Sequence, residues 1–170
     1  MELDAPVLGA GLLSADRLEQ ANINPSTGLA TDYLNHFNEV VMLLEMLPAM
    51  PDCATDVLDW EPLDYEAHFE SSNFSDKKLA ILAYHAAPVK LRSHLENQVA
   101  KINEAVHAAQ ELIRTTPDIS IVAQQIADVA TNEIKPLISS ASGVIHGHVR
   151  PDAIQLEGDD AQAEIDALFA

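Results

Sequence analysis

A chain of 170 residues with a net charge of −18 and 48% hydrophobic residues can bury one sizeable core, since chains near this length hide ~70% of their unfolded surface. The charge repels phosphate backbones and anionic lipid, which argues against nucleic acid and membrane surfaces and leaves basic patches on other proteins as partners. Cys53, the single cysteine, excludes an internal disulfide framework and reads as a small buried hydrophobe; with no apolar run near ~20 residues and an acidic start, MELDAPVLGA, a cytoplasmic protein is expected.

Aromatic residues make up only 5% of the chain, and Ala, Leu, Ile and Val in the company of Glu and Gln favour helices over strands. Ser14 is placed to cap a short helix that Asn24-Pro25 closes within two turns. From 29 to 47, Tyr33, Leu34, Phe37, Val40, Val41, Leu44 and Leu47 recur at helical spacing until Pro48 and Pro51 end the run. Residues 51–75 fit two short helices around Leu58–Trp60 and Tyr65–Phe69, with Trp60 and Phe69 plugging the core. Ser75 is a cap for a helix beginning at Asp76, which Ala87-Pro88 breaks.

Beyond Pro88, Leu91, Leu95, Val99, Ile102, Val106, Ala109 and Ile113 form a seam at intervals of three and four residues, which predicts one helix over 89–114, ~40 Å long. The tight turn TTPD leads to a second seam, Val122, Ile126, Val129, Glu133 or Ile134, and Leu137, over 119–141, with Pro136 as a kink. Two long helices joined by a short turn lie antiparallel. Their apolar stripe needs cover, either from the 29–47 helix and its neighbours or from a second copy in a homodimer. Gly143 is the expected stop of the second helix, and 144–158, with Gly147, Pro151 and Gly158, reads as a linker.

The expected fold is therefore all-α: a helical bundle built on a long antiparallel hairpin, with short N-terminal helices and a flexible C-terminal tail. Its parts are a lead-in at 1–27, a bundle at 28–143, a linker at 144–158 and an amphipathic docking helix at 159–170.

In the tail, an Asp159 or Asp160 cap would place Ala161, Ile165, Leu168 and Phe169 on one stripe, with Glu164 and Asp166 among the acids beside it. Twelve residues are too few for a stable isolated helix, so the segment is expected to fold on contact with an apolar groove. Charge supports a basic-rimmed groove. Residues 156–170 hold five acids and no base, and residues 1–76 hold fifteen acids against Arg17 alone.

The stretch QAEIDALF, residues 162–169, resembles the N-terminal peptide of the flagellar motor switch protein family FliM. Its place after a linker at the C-terminal end is similar to the terminal peptide of the chemotaxis phosphatase family CheZ. Both peptides bind the response regulator CheY. The resemblance implies a bacterial signalling role in which Ile165, Leu168 and Phe169 are apolar anchors and Glu164 and Asp166 face a basic rim.

The catalytic pattern of the phosphatase, an Asp followed four residues later by a Gln on the hairpin, does not carry over. The one such pair, Asp16 and Gln20, lies on the lead-in, while Gln124 and Gln125 sit on the hairpin without the acid. A metal-bound bundle would use Glu-x-x-His elements, of which Glu104 to His107 is one; His36 to Glu39 runs in reverse and His146-Gly147-His148 stands in a loop. No glycine-rich phosphate loop or nucleophile motif occurs. The expected function is thus a non-catalytic interaction protein without cofactor or metal. The alternatives are a response-regulator phosphatase, a metal-binding bundle, and a structural bundle whose tail packs on its own core.

Overall fold

The computed structural model describes residues 7–148, which are helical and contain no strand. Helix α1 (Ala15–Gln20) begins where Ser14 Oγ accepts the Arg17 N–H at 3.4 Å. It stops at Asn22, two residues before the expected Asn24-Pro25. Asn22 takes a left-handed φ of 61°, and the Ile23 N–H returns to the Leu18 carbonyl at 2.8 Å, with both side chains buried. This is a Schellman closure with its usual apolar contact, and asparagine tolerates the left-handed backbone better than most residues.

Asn24 instead builds the next turn: its Oδ1 accepts the N–H groups of Ser26 and Thr27 at 2.8 and 3.1 Å. The turn ends in Gly28, at φ 76°, whose α-carbon packs so closely that an added β-carbon would stand 2.7 Å from the Ala83 carbonyl oxygen. Thr27 then fastens this segment to the far end of the chain, its Oγ1 donating to the Ile145 carbonyl at 2.6 Å and accepting from the Leu29 N–H at 3.2 Å. Leu13, Leu18 and Ile23 stand in the same apolar core as the long helices.

The run predicted over 29–47 starts as a 3-10 turn, Thr31–Leu34, and continues as α2 (Asn35–Met46), burying Phe37, Val40, Val41 and Leu44. Helices α3 (Ala54–Asp59) and α4 (Tyr65–Ser71) follow, the second capped by Asp64 Oδ1 on the Ala67 N–H at 2.8 Å. Trp60 and Phe69 are buried as expected, and Cys53 is a buried thiol whose Sγ donates to the Leu43 carbonyl at 3.3 Å. Helix α5 (Lys77–Ala86) is not capped by Ser75: the capping position belongs to Asp76, whose side chain makes no capping bond.

Pro88 leads directly into α6 (Val89–Thr115), and every seam residue expected there is buried except Leu91, which is half-buried. After the turn the chain forms α7 (Ala123–Val129), a wide π turn over Ala130–Ile134, and α8 (Lys135–Ile145). The irregularity expected at Pro136 lies just before it. A proline ring crowds the carbonyl four residues back, here that of Asn132, and one wide turn relieves the clash. The extra residue shifts the seam, so Ala130 and Ile138 are buried where regular spacing favours Val129 and Leu137, which are half-buried.

Gly143 does not end α8. The helix runs through Ile145 and closes at Gly147 (φ 84°), where the His148 and Gly147 N–H groups bond the Gly143 and Val144 carbonyls at 2.7 and 2.9 Å.

Helix α6 packs along α8, while α2 lies on α7 and the π turn, and α3 joins α2 to α6. The hairpin is therefore covered by its own chain. Gln110, buried on α6, ties down the end of α3 by donating from Nε2 to the Val57 and Trp60 carbonyls, both at 2.9 Å.

Candidate functional site

The residues expected to bind a partner, Ala161, Glu164, Ile165, Asp166, Leu168 and Phe169, lie outside the described residues. The other sequence candidates are placed. Asp16 and Gln20 are exposed on α1. Gln124 and Gln125 are exposed on α7, where Gln124 Nε2 donates to Asp128 Oδ1 at 2.9 Å. Glu104 and His107 are both exposed on α6, and among the described residues no three His, Cys, Asp or Glu side chains are grouped to hold a metal.

Two histidines sit instead in an aromatic cluster beneath α2. The His36 ring stacks on Trp60 at 4.6 Å and its Nε2 donates to the Glu61 carbonyl at 2.9 Å, while Trp60 Nε1 donates to the His36 carbonyl at 3.0 Å. Burial disfavours the imidazolium and holds the His36 pKa below its usual value. His68 Nε2 lies 3.0 Å from Asp32 Oδ2. The His36 contacts hold Trp60 and Glu61 against α2, and the His68 contact ties α4 to the 3-10 turn.

The 61–64 loop forms one wall of a cavity of about 290 Å³, whose opposite wall is α6. The chain has three tyrosines, and Tyr33, Tyr65 and Tyr84 all line it. Tyr65 and Tyr84 stack at 4.3 Å with 14° between their planes, and Tyr33 leans on Tyr65 at 5.1 Å. Their hydroxyls are engaged. Tyr33 Oη donates to the Leu63 carbonyl at 2.8 Å, Tyr84 Oη donates to Glu96 Oε2 at 2.5 Å, and Tyr65 Oη accepts the Ala30 N–H at 2.8 Å.

Burial raises all three phenol pKa values far above the usual tyrosine range, with the Asp64 charge adding at Tyr33 and the Glu96 hydrogen bond and charge adding at Tyr84. The phenols are neutral at physiological pH, and none is poised to take or give a proton. Leu95 and Val99 supply an apolar floor, Asp64 and Glu96 are exposed acids of the lining, and Asn103 lines the wall with its Oδ1 buried and unpaired.

Sequence inspection missed this cavity, because its residues come from four separate elements and share no period. One signal was present: Asn103 stands four residues after Val99, a polar residue at the edge of an otherwise apolar seam.

No family model, curated protein or solved structure matches this chain.

Proposed function

We propose that the protein is a non-catalytic interaction protein that docks a response regulator of the chemotaxis or flagellar type through residues 160–169. The observation that carries it is the stripe Ala161, Ile165, Leu168 and Phe169 with its acidic flank in QAEIDALF. The described core supports it, because the hairpin seams that could have called for a terminal helix are already covered by α2, α3 and the lead-in.

Burying Ile165, Leu168 and Phe169 contributes ~1.5–3 kcal/mol each, much of it offset by ordering the segment and by association entropy, so micromolar affinity is expected. Acids facing a basic rim make association weaken with added salt. Calorimetric titration of the full chain with a purified chemotaxis-type regulator, phosphorylated and unphosphorylated, tests this. Micromolar binding that is lost in Ile165→Ala/Phe169→Ala supports docking; equal binding by wild type and the double variant, or none by either, overturns it.

A further inference from the structure

The tyrosine cavity presents several hydrogen-bond acceptors to its interior. The Tyr33 and Tyr84 hydroxyl protons are committed to Leu63 and Glu96, so their oxygens have only acceptance left to offer. Asn103 Oδ1 is an acceptor already buried without a donor, a costly arrangement that a bound N–H would relieve. Glu96 uses Oε2 on Tyr84 and Asp64 uses Oδ1 on Ala67, and the second oxygen of each has no bond among the described residues.

Among the described residues no Lys or Arg lines the cavity, and the carboxylates of Asp64 and Glu96 disfavour an anion there. The volume lies at the lower limit for ligand pockets, which are ~300 Å³ and larger, and suits a single short chain with one polar end. Leu95 and Val99 provide for an apolar stem. Arg92, outside the lining, places its guanidinium 5.7 Å from the Tyr84 ring centroid.

We propose that this cavity binds the protonated end of an alkylamine, its N–H donors shared among Asn103 Oδ1, the Tyr33 and Tyr84 oxygens and the carboxylates of Asp64 and Glu96. The ligand is either a small free amine or the lysine side chain of a partner protein, two sources with the same chemistry.

The test follows the methyl resonances of Leu95 and Val99 in the full-length protein during titration with n-butylammonium, with Nα-acetyl-lysine methylamide, and with n-butanol as the neutral isostere. Saturable shifts with the two ammonium probes and none with the alcohol are expected. Tighter binding of the blocked lysine assigns the site to a partner's side chain; tighter binding of butylammonium assigns it to a free amine. Asp64→Asn/Glu96→Gln should weaken either probe by about tenfold or more while leaving the fold intact, since asparagine caps a helix as well as aspartate and Glu96 is exposed. Asn103→Leu should weaken both probes as well. The proposal is overturned by the absence of saturable shifts, by an equal response to n-butanol, or by wild-type affinity in both variants.

Discussion

Replacing Gln110 by leucine removes one buried amide and tests whether the link between α3 and α6 is structural. Its Nε2 gives both hydrogens away, one to the Val57 carbonyl and one to the Trp60 carbonyl. The two acceptors do not suffer equally. Val57 keeps the Trp60 N–H at 3.2 Å, whereas Gln110 is the bonding partner the structure gives the Trp60 carbonyl. The loss is therefore close to one orphaned buried acceptor, ~1–3 kcal/mol, plus a weakened second bond, less ~1 kcal/mol returned by the apolar leucine. A net destabilisation of about 2 kcal/mol should lower Tm by ~4–8 °C in a chain of this size. Urea unfolding followed by circular dichroism should show a lower midpoint with an unchanged slope. Gln110→Glu should be worse than Gln110→Leu, because it sets a buried carboxylate against two carbonyl oxygens. A leucine variant as stable as wild type, or a glutamate variant no worse than leucine, would refute the assignment.

Thr27→Val should cost ~1–3 kcal/mol, because it strands the Ile145 carbonyl and the Leu29 N–H together; faster hydrogen exchange at the end of α8 is the check. Burial depresses the folded pKa of His36 below its unfolded value of 6.5, so its stability contribution is complete above pH 6.5 and is lost as pH falls through the folded pKa. His36→Phe, which keeps the stack on Trp60, should flatten the urea midpoint against pH below 6.5, and an unaltered slope would contradict this. Glu45 titrates with the same sign at lower pH. Hydrogen bonds from Thr131 and Lys135 lower its pKa, so Glu45→Gln should reduce the loss of stability below pH 4.5. Ile165→Ala/Phe169→Ala should leave Tm nearly unchanged if the tail is a docking segment; a fall of many degrees would place it in the core instead.

How much of the fold was legible depended on whether a signal was repeated or single. The seam of α6 repeats over seven apolar positions, and no local exception along 27 residues can mask it. Helix ends rest on one residue each, and several could serve. Gly143 can stay helical because tertiary packing around Ala141, Val144 and Ile145 outweighs a glycine penalty of ~1 kcal/mol, whereas Gly147 supplies the left-handed backbone that the closure needs. Asn22 and Asn24-Pro25 compete as helix stops in the same way: the Leu18–Ile23 contact that selects Asn22 depends on the burial of both side chains, which no local window shows. Pro136 marked a disturbance, but whether the chain kinks or inserts a wide turn depends on which phase of the seam fits α6.

The sites divide in the same way. The stripe expected over residues 161–169 can be proposed from the sequence because its residues are neighbours along the chain. The cavity draws on Tyr33, Asp64, Tyr84 and Asn103, so only the fold brings it together, and its chemistry is invisible to any local window. Composition held a weaker trace. Tyrosine is an amphipathic residue that places a polar tip beside an apolar body, and a mostly aliphatic core has little use for it. A chain that is 5% aromatic gathers its three tyrosines around one cavity, with an unpaired amide oxygen on its α6 wall. Leucine and phenylalanine meet packing at Leu44 and Phe37, whereas each tyrosine hydroxyl also makes a hydrogen bond, to Leu63, Ala30 or Glu96.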